Sequence, residues 1–286
     1  MEAWHSRRAW QLLEAFNAVT YFSPECREGP ERLGLRGFWM GYFSGRAAPM
    51  GAAPPALVEA TFYNFHPAMV RRALPDAWAR AAPEDVVAVR SAGAAAALRR
   101  LAPDVEEAAS RLLPVLRRVI EHGSVAGRPL FAANREVTTT GAVEGLWQAA
   151  TTLREHRGDG HVAVLTGADL DGCEVHVLFS ATEHVPPHVL QDARGWSTSE
   201  WAGAVDRLRS RGLLEPGGAP TPAGRRLHRD IERRTDDLAL APYRVLDEDE
   251  FGDMVALLGT VARDVHLSGE IPFPNPIGLP EPDGRW

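Results

Sequence analysis

The chain has 286 residues, 45% of them hydrophobic, and a formal net charge of −7, and all 31 of its basic residues are arginine. That length can bury a full core as one large domain or two ordinary ones, while the acidic balance argues against a nucleic-acid binder unless one face gathers the arginines. Two cysteines far apart in the chain, Cys26 and Cys173, argue against a disulfide framework, the N-terminal "MEAWHSRRAW" has no apolar signal core, and no run is long enough to span a bilayer, so a reducing cytoplasm is the expected setting.

Apolar residues at helical spacing dominate the chain and strand-like alternation is nearly absent, so the fold class is mainly α. The first helix is predicted in "AWQLLEAFNAV". "RGFWMGYFSGRAAPMG" then brings Trp39, Tyr42, Phe43 and Arg46 beside Gly37, Gly41 and Gly45. Two readings stand for it: close helix packing, or a wall for a flat ligand. "EATFYNFHPAMV" adds Phe62, Tyr63, Asn64, Phe65 and His66. His66 precedes Pro67 and is pushed to extended geometry at a helix end. The stretch reads either as a core aromatic cluster or as a pocket wall, with the Phe65 ring giving an apolar surface and Tyr63, Asn64 and His66 orienting a ligand. "PEDVVAVRSAGAAAALRRL" and "DVEEAASRLLPVLRRVIEHG" are helices, the first too rich in Ala and Val to suit a DNA groove.

"TLREHRGDGHVAVLTG" is the densest chemistry in the chain, because six of the eight residues from Arg154 to His161 can ionise. Local signals predict a helix over Val143–His156, a left-handed cap at Gly158, and a second helix capped by Asp159 and starting near His161. The junction reading needs only Gly158, Asp159 and one cation. The functional reading makes His156 and His161, with His66, acid/base groups oriented by Asp159, and makes Arg154, Arg157 and Arg46 clamps for a carboxylate or phosphate. His156 and His161 do not share a helix face, and Cys173, His176, His184 and His188 lie at no standard zinc spacing, so no metal is assigned and no cofactor is named. Phosphate loops, dinucleotide fingerprints and nucleophile elbows are absent.

"VPPHVLQDARGWSTSEWAGAVDRLRSRGLLEPGGAPTPAGRRLHRDIERRTDDL" reads helix, turn, helix, short hairpin, long helix, with Thr221 as N-cap and Pro222 in the first helical position. "VDRLRSRGLL" followed by "PTPAGRRL" resembles a MarR-like winged helix, although the wing "EPGGAPTPAG" lacks the arginine usual at its tip. "FWMGYFSGRAAPMG", "ATFYNFHPAMV", "LREHRGDGHVAVL" and "IPFPNPIGLP" together resemble the SalK-like helix-turn-helix family of actinobacterial proteins. That resemblance implies a winged-helix architecture and a setting in actinobacterial secondary metabolism, and it carries no settled activity. The last segment, "SGEIPFPNPIGLPEPDGRW", is expected to be extended, anchored by Phe273 and Ile277 with Asn275 bonding to backbone, and disordered from Glu281 onward.

Landmarks recur in one order: Trp10-Gln11 and Trp147-Gln148, the segments around Trp78 and Trp196, and "PLFAAN" and "IPFPN". Either the chain is a tandem duplication folding as an intramolecular pseudo-dimer, or common residue types match by chance. On the first reading, residues 1–140 form one winged-helix-like unit and residues 141–286 a second with the proline-rich tail, leaving a cleft between them. The leading functional expectation is a partly aromatic small molecule bound in that cleft, with or without acid/base catalysis. A MarR-like regulator that binds DNA and a non-catalytic sequestering protein are the alternatives.

Overall fold

A computed structural model describes residues 1–281, in which fourteen α-helices are joined by short turns and one isolated antiparallel bridge, Leu214 with Pro220. The expectation of disorder toward the end falls mostly on residues 282–286, outside the described residues; Glu281 itself is exposed and in no regular element.

The body is built from long helices. α1 (Ala3–Phe22) runs into the short α2 (Glu25–Arg32), then α3 (Gly37–Ala47), α4 (Pro55–Phe62) and α5 (Pro67–Ala73). α6 (Pro83–Leu101), α7 (Val105–His122) and the short α8 (Pro129–Arg135) follow. α9 (Ala142–Gly167) is the longest, at 26 residues. α1, α6, α7, α8 and α13 all pack on it, and α9 is the axis of the molecule. α7 shows the periodicity behind this: Val105, Ala108, Ala109, Leu112, Leu116 and Val119 form its buried stripe. The central core unites α1, α6, α7, α9 and α14 around fully buried Phe16, Leu116 and Trp147, and Phe273 and Ile277 of the tail pack against it.

Two smaller cores flank that centre. One gathers Phe43, Phe62, Phe65, Met69 and Leu74 from α3, α4, α5 and their connections. The other gathers Leu165, Cys173, Val177, Leu190, Trp201 and Leu208 from the end of α9 with α10 (Gly172–Glu183), α11 (Pro187–Arg194) and α12 (Thr198–Ser210). α13 (Pro222–Leu240) and α14 (Glu248–Leu267) complete the chain of helices. The capping residues are visible in the sequence. Ser197 and Glu200 form a reciprocal capping box on α12, as do Asp171 with Glu174 on α10 and Asp247 with Glu250 on α14. Thr221 accepts from the Gly224 amide at 3.1 Å, with Pro222 in the first turn of α13, as the sequence predicts.

The predicted break at "HRGDG" does not occur. α9 passes through it without interruption, with Gly158 and Gly160 inside the helix. Two interior glycines cost about 1 kcal/mol each relative to alanine, so the helix needs outside support. A Cβ on Gly160 would lie 2.8 Å from Arg128 Nη1 and 3.4 Å from Leu238 Cβ, so this glycine is there for close approach and not for a turn. The ionisable residues around it are held by partners on other helices, described below.

Candidate functional site

A cavity of about 750 Å3 lies where the central body meets both flanking cores, within the range of about 300–1,000 Å3 typical of small-molecule sites. α1 contributes Arg7, Trp10, Gln11 and Glu14; α3 contributes Tyr42 and Arg46; and the end of α4 with the residues after it contributes Phe62, Tyr63, Asn64 and Phe65. α9 presents Arg154, Arg157, Gly158 and His161, α10 presents His176 and Phe179, and α13 presents His228 and Glu232. The tail from Phe273 to Glu281 closes one side. It is pinned there by Asn275, whose side chain donates to the Leu279 carbonyl at 2.9 Å and accepts from its amide at 3.1 Å. The expectation that Asn275 bonds to backbone therefore holds, and the tail is non-helical as expected, but it runs through bends and a turn that Asn275 closes and is not simply extended.

Most charges around the cavity are matched. Arg46 forms a two-pronged pair with Glu155 at 2.8 and 2.9 Å, and Arg154 reaches Glu155 at 2.9 Å and Glu14 at 3.3 Å. Burial alone would raise the Glu155 carboxyl, but Arg46 and Arg154 outweigh it and hold the acid down to about 2. Glu14 is raised, because its burial outweighs the pull of Arg154. Arg157 donates to Asp236 at 2.7 Å, and Arg7 bridges Asp236 and Glu232. The three arginines predicted as ligand clamps thus line the cavity with carboxylate partners already in place.

Arg194 is different. It is 8% exposed, lines the cavity, and has no carboxylate within ion-pair distance among the described residues. Its guanidinium lies 4.5 Å from the Phe65 ring centroid and donates only to main-chain carbonyls, of Ala193 at 3.2 Å and of Pro276. Its Nε is buried with no partner, and burial lowers its pKa. A buried cation without an anion is costly. Nothing in "LQDARGWS" marks this arginine locally, and sequence reading missed it.

His161 carries a defined tautomer. The Thr235 hydroxyl donates to the Ile231 carbonyl at 2.8 Å, so it accepts from His161 Nδ1–H at 3.0 Å. Burial pushes the His161 pKa down to about 4, and the neutral ring is left with a lone pair on Nε2. His228 Nε2 is buried without a partner and lines the same cavity. The Asn64 side-chain amide likewise has no hydrogen-bond partner among the described residues. Tyr63 precedes it with φ 48° and ψ −60°, a conformation costly for a bulky residue. That backbone is clamped from the second flanking core. The Tyr63 hydroxyl donates to the Leu170 carbonyl, and the Asn64 carbonyl accepts from Trp196 Nε1 at 3.1 Å and His176 Nε2 at 3.2 Å.

Four predicted site residues stand elsewhere. His156 is 2% exposed, packs edge-on against Phe131 with centroids 4.7 Å apart, and is pushed down to about 3 by burial. It faces α8 because the cavity lies on another side of α9. Asp159 does not orient a histidine: its carboxylate accepts from the Phe131 amide at 2.9 Å, capping α8 from a neighbouring helix, and burial raises it to about 6. His66 caps α5, accepting from the Ala68 amide at 3.1 Å, and pairs with Glu200 at 2.9 Å outside the cavity. Trp39 packs among Tyr42, Phe43 and Phe65 without reaching the cavity wall. Among the described residues no three His, Cys, Asp or Glu side chains converge as metal ligands, and no helix is long and apolar enough to cross a membrane.

The segment from α11 to α12 lies beside this site. α11 ends at Gly195 (φ 78°), where a Cβ would meet Met69 Sδ at 2.5 Å, and α12 follows. Arg207 pairs with Glu174 at 2.8 Å and Asp171 at 2.5 Å, Arg209 pairs with Asp206 at 3.1 Å, and Arg211 donates to the Ala168 carbonyl at 3.0 Å. The tight turn at Pro216–Gly218 closes on the Leu214–Pro220 bridge and bears no arginine. No curated protein and no solved structure matches the chain. A helix-turn-helix family model matches residues 6–272, nearly the whole length, and the chain belongs to that helix-turn-helix family.

Proposed function

We propose that this protein binds a small organic acid with a flat apolar body in the central cavity, on a scaffold of two winged-helix-like units paired within one chain. Arg194 carries the reading. A buried guanidinium with an unpartnered Nε and no carboxylate is the place for a ligand's carboxylate. Trp10, Phe62, Phe65 and Phe179 offer the apolar walls, and His161 Nε2 with the Asn64 amide can receive a hydroxyl or N–H on the ligand. Neutral His161 serves in this reading as a hydrogen-bond acceptor for the ligand. The central core drawn from both halves, with one flanking core on each side, supports the paired-unit reading.

Family membership is compatible with a second reading, DNA binding, for which α12 would be the helix used. The three arginines of its last turn and end already hold carboxylates or carbonyls of their own chain, which weighs against phosphate contacts. Calorimetric titration with 6-hydroxy-2-naphthoate and its amide tests the first reading. In the central cavity the acid should bind, and the amide should bind at least about tenfold more weakly. Equal affinity for the two, or none for either, would contradict it.

A further inference from the structure

A second cavity, of about 380 Å3, lies between α2, α3 and α6. Pro30, Leu35, Phe38 and Val86 give it apolar walls, and Gly41 and Gly45 let the α3 backbone form part of its lining. Arg90 of α6 reaches into it. The Arg90 guanidinium lies 5.0 Å from the Trp147 ring centroid. Among the described residues it makes no hydrogen bond and has no carboxylate within ion-pair distance.

The nearby groups do not answer that charge. Glu155 attracts Arg90 from a distance but is already held by Arg46 and Arg154. Cys26 lines the cavity, yet burial pushes its thiol up to about 12, so it supplies no thiolate. Two further polar atoms nearby in the chain or in contact with Arg90, Ser91 Oγ and Trp147 Nε1, are buried without partners. Burial lowers Arg90 as it lowers Arg194. The rim is open at Arg27 and Glu31, both exposed.

We propose that this cavity is a second ligand site, for a small monoanionic carboxylate on an apolar body, with Arg90 as its counter-ion. The Arg90 guanidinium lies over the Trp147 ring, a cation–π contact that helps to hold the charge at the cavity wall. Apart from Arg27 at the exposed rim, Arg90 is the one cation lining the cavity among the described residues, which selects a single negative charge over a phosphate dianion. Tyr42 lines both cavities, so the two occupants share a wall.

The test uses 4-fluorobenzoate and neutral 4-fluorobenzyl alcohol, followed by fluorine NMR on the full-length protein. An Arg194→Met background isolates the second site. There the acid should still bind one equivalent, about tenfold more tightly than the alcohol while Arg90 is present, and adding Arg90→Met should weaken the acid at least about tenfold and remove that preference. A Val86→Phe change keeps the arginine and fills the space, and it should remove the same equivalent even if the Arg90 variant folds poorly. Unchanged affinity after both changes, or an alcohol that binds as well as the acid, overturns the proposal. The outcome is independent of the central cavity: the Arg90 effect stands or falls whether or not Arg194 governs the other site.

Discussion

The arginines of α12 and the arginine that ends α11 differ in one respect that matters for function. Arg207, Arg209 and Arg211 are surface cations whose charge is answered within the chain. Arg194, next to the same turn, is buried and unanswered. Matched cations do structural work and leave little for a partner. An unmatched buried cation destabilises the empty protein, and an anionic ligand is what relieves that cost. On the proposed function, the anion site of this helix-turn-helix family member therefore lies behind α12 and not on it.

The comparison breaks if matched buried charges prove dispensable. Glu155→Gln should be the most damaging single change, costing about 3–5 kcal/mol because Arg46 and Arg154 lose a buried partner together. Urea melts at pH 7 check it; a loss below about 1 kcal/mol, typical of an exposed pair, would mean that the cluster is not structural.

Acid should come next. His156 and His176 are both held near 3 by burial, so below pH 6.5 the unfolded chain binds protons that the folded chain refuses. Their contribution is intact above that value and falls as pH drops toward 3, by roughly 1 kcal/mol per pH unit for each ring. Asp159 works in the opposite sense. Raised to about 6, it keeps its proton in the folded state, so its contribution is present at low pH and lost as pH rises through 6. Between about 4 and 6 it offsets one imidazole. Net stability should therefore fall from pH 6.5 to 4, and His176→Gln should flatten the slope; a flat wild-type profile would contradict the buried neutral rings.

Arg207→Ala should cost about 1 kcal/mol, since Arg207 and Asp171 are both half exposed and the buried Glu174 keeps Arg211 at 3.7 Å as a second partner. On a mobility-shift gel the wild-type protein should form no tight complex with one operator at physiological salt, where backbone-dominated binding fades. A nanomolar complex would move the function back to α12.

Part of this arrangement is legible in the sequence. Ser197 with Glu200, Thr221 with Pro222, and the apolar stripe of α7 announce their helices because the signals are local. "TLREHRGDGHVAVLTG" misleads for the same reason. Gly158 and Asp159 look like a cap, while the partners that carry the helix through are remote: Arg46 lies 109 positions from Glu155, and Thr235 lies 74 from His161. Tyr63, Asn64, Phe65, Arg46, Arg154, Arg157 and His161 were recognisable as residue types suited to a pocket, and all of them line the cavity. Arg194 was not recognisable, because its significance is the absence of a carboxylate, which only the folded chain defines.

The most direct test of the central claim is Arg194→Met, read by calorimetry with 6-hydroxy-2-naphthoate and by thermal melting of the unliganded protein. Losing a buried, charge-assisted contact should weaken the acid by about 2–5 kcal/mol, while the unliganded melting temperature holds or rises because an unpaired buried charge has gone. A variant that binds the acid as wild type does but melts lower would make Arg194 a structural strut for the tail, and the central cavity would lose its anion site.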